Sequence, residues 1–186
     1  MPFNLPTCLT LLRIVLIPII IIVFYLPWHG AKTACAIIFS LAALTDWLDG
    51  YLARKMEQAT AFGAFLDPVA DKLMIAVVLV LLVQSDPTPF LAIPAAVIIG
   101  REITIASLRE WMAEVGERSR VKVSWIGKAK TMAQMFALIF LLLAGGLWTV
   151  PARTVGFILL YIAAFLTLWS MVGYLRAALP SLLRDS

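Results

Sequence analysis

The chain is organised around one aspartate-rich stretch, Asp46-Trp-Leu-Asp-Gly-Tyr-Leu-Ala-Arg54, followed after eight residues by Gly63-Ala-Phe-Leu-Asp67-Pro-Val-Ala-Asp71. With Glu57 in the intervening segment, residues 46–71 contain five of the eleven acidic residues of a protein that is 62% hydrophobic. Residues three, four, seven and eight apart share one face of a helix. The first half therefore aligns Asp46 with Asp49, and the second aligns Asp67 with Asp71. If the two helices are neighbours, four carboxylates and one guanidinium meet at one place.

The composition around this stretch is that of an integral membrane protein. Only 14% of the 186 residues are charged and the mean hydropathy is +0.97, whereas soluble proteins carry about 25% charged residues. The length fits a single domain over 1–186. The apolar run 11–26 is too long for a secretory signal and lacks a cleavage site. The spacing of Cys8 and Cys35 predicts neither a disulfide nor a zinc site.

Six segments have the length and apolar character of membrane-spanning helices, which need about 20 residues. We therefore predict an all-α integral membrane protein with six transmembrane helices. A short amphipathic helix on the membrane surface, beginning near Pro6 and leading into the first span, is expected at the N-terminus. The six spans are 5–26, 31–54, 61–83, 90–113, 123–144 and 150–175.

The distribution of basic residues predicts the orientation. With six spans, both termini and the connections at 55–60 and 114–122 lie on one side, and thirteen of the fifteen basic residues lie near it. The other side has only Lys32 and Arg153. Cytoplasmic segments are enriched in Lys and Arg, so the termini and the aspartate cluster are predicted to face the cytoplasm.

The clustered carboxylates predict a metal site. Charges inside a membrane are costly and usually mark function, and Arg54 and Lys72 supply too little positive charge to neutralise four acids. Carboxylates without histidine or thiolate form a hard oxygen site suited to magnesium, manganese or calcium. Two such ions can clamp a phosphoryl transfer. Gly50 and Gly63 lie on the same faces and would let a diphosphate approach the backbone, although either glycine alone could equally serve tight helix packing.

The joint pattern D-x2-D-G-x2-A-R-x8-G-x3-D-x3-D resembles the signature of the CDP-alcohol phosphatidyltransferase family. The resemblance implies a six-helix membrane enzyme, usually a homodimer, that moves a phosphatidyl group from CDP-diacylglycerol to an alcohol and releases CMP. It implies two bound Mg²⁺ or Mn²⁺ ions. By the same resemblance the metal ligands are Asp46, Asp49, Asp67 and Asp71, with Asp71 also the general base, and the CDP site is lined by Gly50, Ala53, Arg54 and Gly63.

The acceptor alcohol is suggested by basic residues in the second half. Arg101 and Arg109 are eight residues apart on one helical face, and Lys128 and Lys130 begin the fifth span. Together they suit an acceptor that carries a phosphate, although the lysines could instead extend to the interface and Arg109 could pair with Glu110 or Glu114. Glu102, about 100° around the helix from Arg101, is expected to be a poor partner for it.

The motifs Asn4-Leu-Pro-Thr, Arg101-Glu-Ile and Gly127-Lys-Ala-Lys-Thr131 resemble the phosphatidylglycerophosphate-forming branch of the family. This implies sn-glycerol 3-phosphate as acceptor, with the bilayer as environment and no nucleic-acid partner. The same chemistry on serine, inositol or inositol phosphate stays open. A cation-coupled transporter is the rival class, but its acids would lie near the midplane and its sequence would show inverted repeats.

Overall fold

The computed structural model describes residues 5–56, 61–114, 125–145 and 150–182. Within these ranges, the side chains at 5–6, 47–56, 61, 64, 125–128, 150 and 177–182 are outside the description. Six helices follow one another along the chain: α1 (Leu5–Phe24), α2 (Ala31–Met56), α3 (Ala61–Ser85), α4 (Pro89–Glu114), α5 (Trp125–Ala144) and α6 (Val150–Leu182). The described residues contain no strand, so the all-α prediction is confirmed for them.

Local sequence explains where these helices begin and how they tolerate proline. Pro89 occupies the first position of α4, where a missing N–H costs nothing, and the Thr88 carbonyl accepts from the amides of Leu91 and Ala92 at 3.1 and 2.9 Å. Pro18 and Pro94 lie inside α1 and α4. Neighbouring helices and local adjustments make such prolines acceptable in membrane proteins.

Within the described residues, three helices are long and apolar enough to cross a membrane, and their spans are Thr7–Phe24, Pro89–Glu114 and Pro151–Arg176. The described part of α5 adds a shorter apolar segment, Ala129–Ala144. Helices α2 and α3 have 26 and 25 residues, which is sufficient length to span a bilayer. The membrane character is therefore supported, whereas the full six-span topology stays a prediction.

Helix α1 is continuous from Leu5 to Phe24. Three polar side chains in its first turns, Thr7, Thr10 and Arg13, are buried against the rest of the bundle. A separate N-terminal surface helix is not distinguished from α1 in the described residues and likewise stays a prediction.

The core is apolar and lies between all six helices. Helix α1 packs on α2 and α3, α4 packs on α6, and the most extensive contact is between α5 and α6. Small residues such as Ala36, Ala137 and Ala163 are buried at these contacts, as expected where membrane helices approach closely. Large apolar side chains cover the outside, among them Ile22, Phe65, Phe90, Phe165 and Trp169.

The end of the bundle that contains the α3–α4 turn carries a small set of polar contacts. Arg153 Nη2 donates to Asp86 Oδ2 at 2.8 Å, and the hydrocarbon part of Lys32 lies against Gly145 at the end of α5. Lys32, Asp86 and Arg153 border the same cleft. The two basic residues that sequence analysis separated from the other thirteen are thus together in space.

Candidate active site

Arg13 joins the two predicted aspartate stripes. Its guanidinium, on α1 and only 2% exposed, donates to Asp46 Oδ1 of α2 at 2.5 Å and to Asp67 Oδ1 of α3 at 3.0 Å. Hydrogen bonds between ionised partners are the strong ones. Three helices are therefore tied together by one buried charge.

The sequence prediction for the neutralising charges missed this residue. Arg54 and Lys72 were the only cations considered for the aspartates, and they were expected to leave a deficit. Among the described side chains, the cation that pairs with Asp46 and Asp67 is Arg13; the Arg54 side chain lies outside the description. The available signal was an arginine within an apolar helix, which requires a partner. Sequence spacing could not identify a partner 33 or 54 positions away.

Asp71 lies between this cluster and a neighbouring cavity. It lines the cavity and interacts electrostatically with Arg13, Asp46, Asp67 and Glu102. One turn of helix separates it from Asp67 on α3. The predicted convergence of carboxylates from two helices is therefore seen for the three aspartates whose side chains are described.

The chemistry of these donors fits a hard divalent cation. Carboxylate oxygens are the ligands that Mg²⁺ and Mn²⁺ prefer. No cysteine or histidine among the described residues belongs to the cluster. Within the described residues, no three candidate ligands form a complete metal-binding group. Asp49, the fourth predicted ligand, lies on α2 with its side chain outside the description.

The side chains of several other predicted site residues also lie outside the description. Gly50, Ala53 and Arg54 belong to α2, and Lys128 belongs to α5, but nothing beyond the backbone helix is described for them. Gly63 lies in the first turn of α3 and is partly buried. The roles assigned to these residues remain predictions.

The cavity beside Asp71 has a volume of about 180 Å³. Its lining comes from α3, α4, α5 and α6, and four cations and two carboxylates contribute to it. This excess of positive charge suits an anion. The lining residues are Asp71, Lys72, Ile75, Arg101, Glu102, Ile105, Arg109, Lys130, Thr131, Gln134 and Tyr174.

Arg101 is buried and makes two directed contacts through its guanidinium. Nη1 contacts Glu102 Oε1, and Nη2 donates to Ser170 Oγ of α6 at 3.0 Å. The expectation that Glu102 is a poor partner was therefore wrong. The angle around the helix fixes where a side chain starts, but the long chains of Arg and Glu can bend toward each other.

Glu102 also binds Lys130. The Lys130 ammonium, on the buried side of α5, donates to Glu102 Oε1 at 2.7 Å. One carboxylate therefore holds two of the predicted acceptor-binding cations, from α4 and α5, beside the same cavity. Sequence analysis had proposed the cations but had not assigned Glu102 this function.

Arg109 reaches the cavity from the next turns of α4. Its Nη2 donates to the hydroxyl of Tyr174 at 3.0 Å, and it forms no ion pair with Glu110 or Glu114 among the described side chains. The alternative of a structural salt bridge to those residues is therefore not seen. Tyr174 was missed by sequence analysis, because a tyrosine in an apolar helix resembles an interfacial aromatic residue.

Two buried donors at the cavity have no hydrogen-bond partner among the described residues. They are Nε of Arg101 and Nε2 of Gln134. Buried polar groups are usually satisfied by protein or water, whereas two residues that line the cavity each keep a donor that no described protein group uses.

The fold and site define a class: a helical membrane protein in which a carboxylate cluster borders a cationic cavity. The family model for CDP-alcohol phosphatidyltransferase matches residues 3–169, and the chain belongs to that family. It is similar to proteins named CDP-diacylglycerol–glycerol-3-phosphate 3-phosphatidyltransferase. The relative from Yersinia pseudotuberculosis serotype I is 57% identical over 186 residues, covering 98% of this chain and 99% of the relative. The relative from Salmonella typhimurium is 54% identical over 183 residues, with the same coverage.

Proposed function

We propose that this protein transfers the phosphatidyl group of CDP-diacylglycerol to sn-glycerol 3-phosphate, giving phosphatidylglycerophosphate and CMP. The observation that carries the proposal is one cavity in which Asp71 accompanies Arg101, Arg109 and Lys130. A carboxylate beside several cations suits a substrate with both a reactive hydroxyl and a phosphate. The names of the full-length relatives support the same reaction.

Two Mg²⁺ or Mn²⁺ ions would be held by Asp46, Asp49, Asp67 and Asp71. When bound, they would neutralise charge on the diphosphate and on the leaving CMP phosphate. Two of these carboxylates, Asp46 and Asp67, also accept hydrogen bonds from the buried Arg13 guanidinium. Family resemblance places the CDP moiety against Gly50, Ala53, Arg54 and Gly63.

The proposed chemical step is a direct displacement. Asp71 accepts the proton of the primary hydroxyl of glycerol 3-phosphate as a general base. That oxygen forms a bond to the phosphorus that carries diacylglycerol, while the bond from this phosphorus to the bridging oxygen of CMP breaks and CMP leaves with its electron pair. Arg101, Arg109 and Lys130 bind the acceptor phosphate, which positions the hydroxyl; Lys128 is proposed to join them.

We place the protein in the bacterial inner membrane as a multi-pass homodimer with its termini and site toward the cytoplasm. The bias of basic residues supports this orientation. Water-soluble glycerol 3-phosphate and CMP would then exchange with the cytosol, while both lipids remain in the bilayer.

The test is CMP release by detergent-purified protein supplied with CDP-diacylglycerol and Mg²⁺ or Mn²⁺, with one acceptor at a time. Release with glycerol 3-phosphate and not with serine, inositol or inositol phosphate is expected, and a chelator should abolish it. Release with another of these acceptors alone would overturn the acceptor. No release with any acceptor, from protein shown to be folded, would overturn the transferase activity.

A further inference from the structure

A pair of polar residues on α6 contacts the arginines of the cavity. Ser170 and Tyr174 are four residues apart, so they lie on one face of the helix, and each is only 8% exposed. Neither was predicted to belong to the site. Both approach α4 at the positions from which its two arginines enter the cavity.

Ser170 is arranged to accept a hydrogen bond from Arg101. Its own hydroxyl donates to the Thr167 carbonyl at 2.9 Å, so the proton of Oγ is already engaged. The remaining lone pairs face Arg101 Nη2 at 3.0 Å. The contact therefore constrains one side of the Arg101 guanidinium, and Glu102 constrains the other.

Tyr174 contacts both arginines at once. Its hydroxyl accepts from Arg109 Nη2 at 3.0 Å. Its ring centroid lies 5.2 Å from the Arg109 guanidinium carbon and 5.7 Å from that of Arg101, within the range of cation–π attraction. A single buried ring thus interacts with both guanidinium groups.

We propose that Tyr174, assisted by Ser170, is a positioning residue that sets the separation and orientation of Arg101 and Arg109 for the phosphate of the acceptor. The inference rests on the proposed function, because it assigns the phosphate of the acceptor to these two arginines. A guanidinium held in advance loses less side-chain entropy when it binds an anion. Helix α6 would thereby contribute to acceptor affinity through the two arginines of α4.

The test is Tyr174→Phe, which retains the ring and removes the acceptor oxygen. The KM for glycerol 3-phosphate should rise about tenfold, as expected for the loss of a hydrogen bond to a charged group. The KM for CDP-diacylglycerol and kcat should each stay within about twofold. Tyr174→Leu, which also removes the ring, should raise the acceptor KM further. Ser170→Ala should also raise the acceptor KM, whereas Ser170→Thr, which keeps the hydroxyl, should leave it at the unsubstituted value.

Tyr161→Phe is the matched control. Tyr161 is also on α6 and its hydroxyl also bonds to α4, donating to the Phe90 carbonyl at 3.0 Å, but at the other end of the helix pair. This variant should leave both KM values unchanged. An unchanged acceptor KM in Tyr174→Phe, or equal changes in both variants, would overturn the positioning role.

A binding measurement separates this inference from the proposed function. Calorimetric titration of the full-length protein with glycerol 3-phosphate or inorganic phosphate requires no turnover. Weaker binding of both ligands in Tyr174→Phe, with no change in Tyr161→Phe, would support the inference even if CMP release showed a different acceptor. Equal affinities of the two variants for these ligands would overturn it, whatever reaction the protein catalyses.

Discussion

Arg13 illustrates how a single side chain in an apolar helix can organise its surroundings. It is almost fully buried, whereas the carboxylates of Asp46 and Asp67 are 31% and 45% exposed. The arginine therefore depends on its partners more than they depend on it. Removing it leaves two acids from adjacent helices without the cation that pairs with both among the described side chains.

We expect Arg13→Gln to lower stability by about 1–3 kcal/mol, the typical cost of breaking hydrogen bonds to charged groups. The measurement is the apparent melting temperature in detergent with a chelator present, because divalent ions would replace the missing charge. Arg153→Gln is the control, since its pair with Asp86 is exposed and such pairs contribute about 0–1 kcal/mol. Similar decreases for the two variants would contradict the role given to Arg13.

Asp71→Asn addresses the chemistry of the same region. Asparagine keeps the shape of the side chain but cannot accept the proton of the acceptor hydroxyl, so turnover should fall at least about a hundredfold. Binding of CDP-diacylglycerol, followed by calorimetry, should persist. Asp86→Asn, just beyond the other end of α3, should leave CMP release unchanged. Normal turnover by Asp71→Asn would remove Asp71 from the base role.

The individual residues also show what sequence could predict about the site. Asp46, Asp67 and Asp71 were found because their fixed spacing on helices is visible in the chain itself. Glu102 was misjudged, and Arg13 and Tyr174 were missed, because their partners come from other helices. Contacts between distant segments depend on how the helices pack, which spacing within one segment does not contain.

At the scale of helices, Gly156 of α6 lies against Leu141 of α5. A Cβ atom there would lie 2.8 Å from Leu141 Cγ and 3.1 Å from the Leu141 backbone nitrogen. The side chain of Leu141 can move, but its backbone is fixed within α5. The absence of a side chain at Gly156 is therefore required by packing.

We expect Gly156→Ala to destabilise the protein by about 1–3 kcal/mol, the usual cost of overpacking. Gly173→Ala is the control on the same helix, because no described atom lies within 4 Å of a Cβ added there. That change should be neutral or slightly stabilising, since alanine favours helices. The comparison is made by apparent melting temperature, and a Gly156→Ala protein as stable as Gly173→Ala would contradict the packing argument.

The helices themselves were largely predictable, because long apolar runs separated by polar breaks are unambiguous. Their bounds agree to within two residues except at α6, which continues to Leu182 instead of ending near 175. The added turns contain Arg176 and fewer apolar residues, so hydropathy alone could not identify them as helix.

For the whole molecule, the distribution of charge yields a topology that can be measured. In a variant lacking Cys8 and Cys35, a cysteine replacing Glu114 should react with an impermeant maleimide only after the cells are opened. A cysteine replacing Thr88, in the turn between α3 and α4, should react in intact cells with a permeable outer membrane. The reverse pattern would show that the orientation is inverted. Labelling of both cysteines in intact cells would show that the chain between positions 88 and 114 does not cross the membrane an odd number of times.

The arrangement of the bundle as a whole was predictable only in part. The grouping of charges toward one end follows from helices that alternate in direction, and the structure agrees in placing Lys32, Asp86 and Arg153 together at the other end. The cavity was not predictable, because four helices contribute to it and its volume depends on their separations. The number of subunits is likewise not encoded in any local pattern.

The contacts between Tyr161 and Phe90 and between Arg153 and Asp86 connect helices far from the cavity. If the proposed reaction takes place at the opposite end, the fatty-acyl tails of the donor never need to leave their own leaflet. Each turnover would exchange one headgroup for another while conserving the number of lipids in that monolayer. The enzyme would then alter the surface charge of a membrane without altering the balance of area between its two sides.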